Sequence, residues 1–387
     1  MKRVLFHVNH LWGQGHFVRV HAMARAIAEE GGHATIMNGG LCVPRDHAER
    51  VSVINMPPVR SADERYSRLL DEKGAALSDD FRAMRAQLCR EIFDTQAPDV
   101  LVTETWPFGR RKLAFELDPL VAAARAKNVP VFSSVRDILT CPENSRVSEA
   151  HQRLQAGFVG VLVHGDPRIT VLKDSWPRAG EISVPLKDTG YVTEGGAAAA
   201  PGERRGVVVS AGAGASGEAV LMAAAMARAA GAFSAEPWIF VTGPKARDGL
   251  MEALRAQLAG ASGASVTIER EINPLGPVIR AAKYCVGRGG YNTVIEAASS
   301  GTRMVVVPHV RLGEDEQLVR ARAFEARGII ALANHDIIEG GGMKARDAMI
   351  AALARAASMT PPKPTQINAD GARAAARFLL AQAAGRG

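Results

Sequence analysis

An apolar stretch over residues 3–8 runs into Gly13-Gln14-Gly15-His16. Phe17, Val20, Ala24, Ile27 and Ala28 then recur at helical spacing until Gly31-Gly32. Residues so spaced share one helix face, and a glycine pair ends a helix. The pattern therefore predicts a strand, a glycine loop and an amphipathic helix in that order. Short apolar runs return at 34–37, 99–103, 129–133 and 160–164, with helical segments between them. Runs of this length suit strands buried on both faces, and their alternation with helices predicts a parallel sheet in an α/β domain.

The pattern breaks near Gly190. Residues 195–202 hold only glycine, alanine and proline, which predicts an exposed linker or loop. It then restarts: a strand at 206–210, the glycine loop Ala211-Gly212-Ala213-Gly214, and a helix at 216–230. Further strands are expected at 238–242, 266–268, 284–286 and 304–307. A last helix is expected over 370–384, with Asp370 near its start and Gly385 beyond its end. Strand, glycine loop and helix open both halves. We therefore expect two doubly wound, Rossmann-like domains, 1–190 and 206–365, joined by a linker at 191–205.

Composition agrees with this frame. The chain has 387 residues, 47% apolar and 22% charged, which excludes a disordered chain and leaves room for two cores. No window approaches the ~18 apolar residues a membrane helix needs. His7, Asn9 and His10 interrupt the N-terminal apolar run, so it reads as a strand and not as a signal peptide, and a cytoplasmic protein is expected. Cys42, Cys89, Cys141 and Cys285 lack metal-ligand spacing and are expected as free thiols. The net charge of +7 fits solvated helix faces, or attraction to an anionic ligand or peripheral contact with a membrane surface. Nucleic acid is not expected, because the basic residues are dispersed and aromatics make up only 5%.

Four segments carry candidate chemistry. In the first, strand 284–286 meets Gly287, Arg288, Gly289 and Gly290, and a helix begins there with Thr293 and Glu296 in its first two turns. Glycines admit backbone N–H groups close to a ligand, and a helix N-terminus favours a diphosphate. Glu296 is then within reach of a ribose hydroxyl. The same glycines would equally serve a tight turn, with Glu296 on a solvated face. The second segment, after strand 304–307, holds His309, Glu314, Asp315, Glu316 and Gln317. Its acidic and amide groups suit sugar hydroxyls, or they cap the next helix. A run of acids is more often solvated than metal-binding. The third is Gly13, Gly15 and His16 with Arg19. Its histidine at a helix mouth is either a general base or structural. The fourth is Arg136-Asp137, where Asp137 either orients a hydroxyl or caps the next helix. No Gly-x-Ser-x-Gly elbow and no P-loop are present, and Val18 stands where a dinucleotide fingerprint would place its third glycine.

Together these segments resemble GT-B glycosyltransferases, the MurG-like (family 28) group in particular, and most closely a bacterial branch of predicted glycosyltransferases. The likeness is carried by Gly13-Gln14-Gly15-His16, Glu104-Thr105-Trp106-Pro107-Phe108-Gly109-Arg110, Ser134 to Leu139, His164-Gly165-Asp166-Pro167-Arg168, Thr189-Gly190-Tyr191-Val192 and, most specifically, 284–328. The resemblance implies a GT-B fold with a cleft between two Rossmann-like domains. The final helix, about 366–387, would pack back on the N-terminal domain. It implies a nucleotide-sugar donor, usually UDP-linked, as substrate, with no cofactor and no metal. Glu296 would hold the ribose. Gly212, Gly214 and 287–290 would surround the diphosphate, and Glu316 and Gln317 would hold the sugar. The acceptor, not identified by the resemblance, would sit on the N-terminal side with His16 or Asp137 as base. One departure is Thr189-Gly190-Tyr191-Val192, which lacks the arginine of the family's Gly-Asn-Pro-x-Arg segment, so Arg288 is a candidate to neutralise the diphosphate.

The leading expectation is therefore inverting glycosyl transfer. A second reading is a nucleotide-sugar hydrolase or epimerase on the same scaffold, since the loop from Gly13 to Arg19 resembles that of UDP-sugar hydrolases in nonulosonic acid synthesis. A third is a non-catalytic anion- or membrane-binding module drawn by the +7 charge.

Overall fold

The structure is a computed structural model. It describes residues 1–11, 13–43, 48–63, 66–140, 143–176, 178–195, 203–210, 212, 217–310 and 315–383. Its contacts divide the chain into two units. Unit 1 comprises Met1–Pro167, Val171–Glu194 and Asp370–Gly387; unit 2 comprises Arg168–Thr170 and Gly195–Ala369. Among the described residues no helix is long and apolar enough to cross a membrane.

Unit 1 begins with β1 (Arg3–Val8), α1 (Gly15–Glu29), β2 (His33–Asn38) and β3 (Val51–Asn55). A small antiparallel pair follows, β4 (Arg60–Ser61) with β5 (Leu69–Leu70). Then come α2 (Asp79–Gln96), β6 (Val100–Glu104), α3 (Ala114–Ala126), β7 (Val131–Arg136), α4 (Asn144–Gly157), β8 (Gly160–His164) and β9 (Leu186–Asp188). The seven-stranded sheet is ordered β3-β2-β1-β6-β7-β8-β9, and its pairings are parallel. The chain winds outward from β1 to β3 and then restarts at β6 on β1's other side. The reversal between β1 and β6 is a topological switch point, where open α/β sheets place ligands beyond the carboxyl ends of the strands. β1 and β6 are buried almost throughout, because helices cover both faces of the sheet.

A C-terminal helix, Gly371–Gln382, belongs to unit 1 and lies on α1. Ala375, Ala376, Leu379 and Leu380 bury its apolar face, and Lys2 Nζ donates to the Leu380 carbonyl at 2.7 Å. The helix enters through Gly371, where an added Cβ would stand 2.3 Å from the Gly190 carbonyl oxygen, so only glycine fits.

Unit 2 repeats the plan. It contains β10 (Val207–Ser210), α5 (Glu218–Ala229), β11 (Trp238–Val241), α6 (Leu250–Leu258), β12 (Val266–Glu269), α7 (Gly276–Ala281), β13 (Tyr284–Gly287) and α8 (Tyr291–Ser300). It ends with β14 (Arg303–Val306), α9 (Glu316–Glu325), β15 (Ile330–Leu332), α10 (His335–Glu339) and α11 (Gly342–Ser358). The parallel order is β12-β11-β10-β13-β14-β15, with its switch point between β10 and β13. Val207, Val209, Trp238, Phe240, Leu254, Val286 and Val305 form the centre of its core. Both units are doubly wound α/β folds, as the alternation of runs predicted.

Candidate functional site

At the unit 1 switch point, His16 stands in the first turn of α1 and Glu104 ends β6. His16 Nδ1 lies 2.9 Å from Glu104 Oε1, and Arg19, one turn along α1, forms an ion pair with the same oxygen. Thr105 Oγ1 is 3.3 Å from His16 Nδ1. Arg19 Nη2 lies farther from Nδ1, at 3.2 Å, than Glu104 does; a carboxylate only accepts, so we assign the hydrogen to Nδ1 and the lone pair to Nε2. Ser134 Oγ donates to Glu104 Oε2 at 2.6 Å. It therefore accepts from His164 Nε2, 2.9 Å away, while Thr189 Oγ1 meets His164 Nδ1 at 2.8 Å. The network crosses the carboxyl ends of β6, β7, β8 and β9.

Its electrostatics follow from burial. Burial opposes charge on Glu104, but Arg19, His16 and Ser134 outweigh it and hold the carboxyl well below the usual carboxylate range. Burial, and next the Arg110 charge, press His16 well below its ordinary value of 6.5, so the imidazole is neutral. Burial lowers His164 to about 3. His16 keeps 17% of its side chain exposed, whereas Asp137 is fully buried. Asp137 does not cap the next helix, which begins only at Asn144.

Unit 2 treats its switch point differently. Gly287 ends β13, and α8 starts after Gly290 with no side-chain cap and no acid in its first turn. Its first amides are thus aimed past the carboxyl edge of the sheet, beside half-buried Thr293. Gln317 Oε1 accepts from Gly289 N at 3.1 Å and from His309 N at 2.9 Å, bracing the loops after β13 and β14 against α9. The Gly289 amide is therefore taken, and the NH2 of Gln317 is what that side chain has for a ligand. Arg320, fully buried, donates to the Gly289 carbonyl at 3.0 Å.

The charges here are matched. Glu296 is not on a solvated face: it is 7% exposed and bonded to Arg280 Nη1 at 2.6 Å. Arg288 Nη2 pairs with Glu339 at 2.7 Å, and Nη1 reaches the Val307 carbonyl at 3.5 Å, so the charge expected to meet a diphosphate is already offset. Half-buried Glu316 opens α9. Gly212 follows β10 with φ +78°, and both it and Gly290 have open space where a Cβ would stand.

The structure thus gathers Gly13, Gly15 and His16 at one switch point. It gathers Gly212, Gly287, Arg288, Gly289, Gly290, Thr293 and Glu296 at the other, next to His309, Glu316 and Gln317. Gly214 and Glu314 lie outside the described residues. The sequence reading gave no role to Glu104, Ser134, His164 or Thr189. Its available signal was a lone polar residue closing each apolar strand run. His7, Cys89 and Glu116 also come together in unit 1, but Arg85 holds Glu116 with two bonds of 2.7 and 2.8 Å, so this is a buried ion pair of the core.

Solved structures share this architecture. The chain superposes on Acinetobacter baumannii MurG with a TM-score of 0.58, at 13% identity over 97% of this chain and 95% of that one. It superposes on Phytolacca americana UGT2, complexed with UDP-2-fluoro-glucose and pterostilbene, with a TM-score of 0.60. There the identity is 10%, over 100% of this chain and 99% of that one. The Staphylococcus aureus MnaA–UDP structure gives a TM-score of 0.58 at 10% identity, over 98% and 95% of the two chains. No curated protein sequence matches. Two parallel, doubly wound units are the GT-B fold that these structures share. Within the chain, residues 255–336 match the glycosyltransferase family 28 C-terminal domain.

Proposed function

We propose that the chain is a glycosyltransferase of the family 28 kind, which moves a sugar from a UDP-sugar to a hydroxyl or amine of its acceptor, with inversion at the anomeric carbon and without a resident metal or cofactor. The observation that carries the reading is the His16–Glu104 pair, which fixes the tautomer and leaves His16 Nε2 as a neutral base. His16 takes the acceptor's proton as the acceptor oxygen or nitrogen bonds to the anomeric carbon. The bond from that carbon to the diphosphate oxygen breaks, and UDP leaves with the electron pair. Glu104 stabilises the imidazolium formed. The uncapped N-terminus of α8, next to Gly290, receives the departing diphosphate, as fixed dipoles do for developing charge. Glu296 holds the ribose, and His309, Glu316 and Gln317 face the sugar. UDP is favoured as the nucleotide because the UGT2 and MnaA structures hold UDP-2-fluoro-glucose and UDP.

The test is thermal shift with a panel of nucleotides and nucleotide sugars, with sugar release and transfer to an acceptor panel assayed in the same wells. A ligand at 100 times its Kd adds about 2.7 kcal/mol of stability. UDP-dependent stabilisation that survives His16→Ala and is lost in Glu296→Ala is expected, with transfer falling ~10²–10⁴-fold in His16→Ala. No shift with any nucleotide would sink the donor assignment. Undiminished turnover in His16→Ala would sink the base. Rapid release of free sugar without an acceptor would make the protein a hydrolase.

A further inference from the structure

The loop that follows β6 leaves Glu104, passes Thr105 beside His16, and ends at Arg110. It is anchored at its centre. Trp106 and Phe108 are buried, Phe108 packs edge-on against Trp176 at 5.1 Å, and Arg153 lies over the Trp106 ring at 4.8 Å. Non-glycine residues stand in the left-handed region at both ends, Thr105 at φ +69° and Arg110 at φ +61°. Each such residue costs roughly 1 kcal/mol or more, and strain of this kind gathers where a side chain must be aimed.

Half-buried Arg110 differs from the buried arginines of unit 1. Arg85 ends on Glu116 and Arg19 on Glu104. Among the described residues Arg110 makes no ion pair, its buried Nε has no hydrogen-bond acceptor, and its guanidinium rests 5.9 Å from the Tyr66 ring centre. Yet its charge falls on the base: after burial, it is the largest influence holding His16 below its ordinary value. The charged groups around His16 are Arg19 and Glu104, which pair with each other, and Arg110. Those around Arg110 are Glu104, Arg136 and Arg19, with Tyr66 alongside. A half-buried guanidinium without an anion, fixed beside the proton acceptor, is a site for an oxyanion, since a planar fork of donors matches carboxylate and phosphate.

We infer that the acceptor carries an anionic group, a carboxylate or a phosphate, which Arg110 binds next to the hydroxyl that His16 deprotonates. This rests on the reading of unit 1 as the acceptor side with His16 as base. It adds a tuning step. An anion on Arg110 offsets the charge that depresses His16, so the imidazole gains basicity when the correct acceptor is in place. A neutral acceptor would leave the weaker base and an unpaired cation.

The experiment separates anion binding from transfer. The full chain with ¹³C-labelled histidines is titrated with inorganic phosphate and with acetate, against sodium chloride at equal ionic strength. The His16 resonance is assigned by its loss in His16→Gln. Saturable movement of that resonance is expected, together with an upward shift of its titration midpoint when the anion is bound. Half-saturation should weaken roughly 10- to 100-fold in Arg110→Gln, the loss of one charge-assisted contact. It should recover in part in Arg110→Lys and stay within about three-fold in Arg111→Gln, the neighbouring control. Tighter phosphate points to a phosphate ester and tighter acetate to a carboxylate; either supports the site. Absence of saturation in the wild type, or unchanged affinity in Arg110→Gln, overturns the inference. In a second arm, transfer from UDP-glucose is compared for glucose, glucose 6-phosphate and glucuronate. Anion binding without transfer to any acceptor would count against the transferase reading alone. Equal transfer to glucose and its anionic relatives, in wild type and Arg110→Gln alike, would count against the acceptor assignment alone.

Discussion

In unit 1 the loop after β1 meets the end of β6; in unit 2 the loop after β10 meets the end of β13. The topology is the same, and the chain reverses at the same place in each sheet. The material at the two reversals is not the same. Unit 1 fills its edge with side chains, His16, Glu104, Ser134, His164 and Thr189, linked by hydrogen bonds of 2.6 to 2.9 Å. Unit 2 fills its edge with backbone. Gly290 and the first turn of α8 are aimed outward, while the nearby charges are matched in pairs, Arg288 with Glu339 and Glu296 with Arg280. Moving a proton requires a titratable group whose tautomer is held. Receiving a leaving anion requires dipoles that are already oriented and need no reorganisation. On the proposed reading one fold used twice supplies both, because the carboxyl edge of a parallel sheet accepts either kind of loop.

The sharpest break of this contrast is at Glu104. In Glu104→Gln the amide can donate to His16 Nδ1 and turn the imidazole so that Nε2 carries the hydrogen. Turnover is expected to fall ~10²–10⁴-fold while the UDP-dependent rise in melting temperature is kept, since the donor loops lie in unit 2. The same substitution removes the carboxylate charge paired with Arg19, which would cost unit 1 about 3–5 kcal/mol. The double variant Arg19→Gln/Glu104→Gln removes both charges of the pair and keeps the measurement on catalysis. A loss of UDP binding equal to the loss of rate would show that the two edges do not divide the chemistry.

A smaller effect distinguishes the units by acid. Burial lowers His164 to about 3 from 6.5, and burial of Glu116 is outweighed by His7 and Arg85, which bring it to about 2 from 4.5. Folded values below the ordinary ones mean that the unfolded chain binds the protons more tightly. The stability these groups confer is whole above their ordinary values. It is lost as pH falls, between 6.5 and about 3 for His164 and between 4.5 and about 2 for Glu116. Each pH unit inside those windows costs about 1.4 kcal/mol per group. In unit 2 the lowered carboxyls, Glu218 and Glu236, sit beside exposed Arg247 and half-exposed Lys283, where solvent screens the gain. Unit 1 should therefore unfold first on acidification. Trp106 and Trp176 report on unit 1 and Trp238 on unit 2, so fluorescence of the wild type against Trp238→Phe separates the two transitions. Unit 2 unfolding first, or a single shared transition, would contradict the assignment.

The sequence displayed the scaffold more openly than the site, and the reason is visible strand by strand. The expected strand at 99–103 is β6, which runs on to Glu104; the run at 129–133 became β7, which continues through Ser134 to Arg136. A hydrophobic run stops where the sheet's carboxyl edge meets the site, so pattern alone ends each strand one step short of its chemistry. His16 and Glu104 are 88 positions apart and are joined only by the pairing of β1 with β6, which no local spacing encodes. The short strands β9 and β15 carry too few residues to form a pattern. Helix α2 is largely exposed, and it announces itself by its cap instead: Ser78 Oγ accepts from Phe81 N at 3.1 Å, with Asp79 and Asp80 in the first turn.

Two adjacent glycines carry the finest test. A Cβ at Gly289 would stand 2.9 Å from the Gln317 carbonyl oxygen and 3.3 Å from Val306 Cγ1, contacts that backbone and a core valine cannot yield cheaply. Gly289→Ala should destabilise unit 2 by about 1–3 kcal/mol, and UDP binding should weaken only as far as the fold does. At Gly290 nothing lies within 4 Å of the added atom and φ is −63°, so alanine fits the backbone; the lost N-cap preference costs about 1 kcal/mol at most. A methyl group there occupies the space through which a diphosphate oxygen would approach the first amides of α8. Gly290→Ala is thus expected to melt within a degree or two of the wild type and to bind UDP about ten-fold more weakly, a free-energy change of about 1.4 kcal/mol. If instead both substitutions merely destabilise, with UDP affinity unchanged in the folded protein, the unit 2 loop is a packing device. The anion would then have to be received elsewhere, and the division between a side-chain edge and a backbone edge would fail.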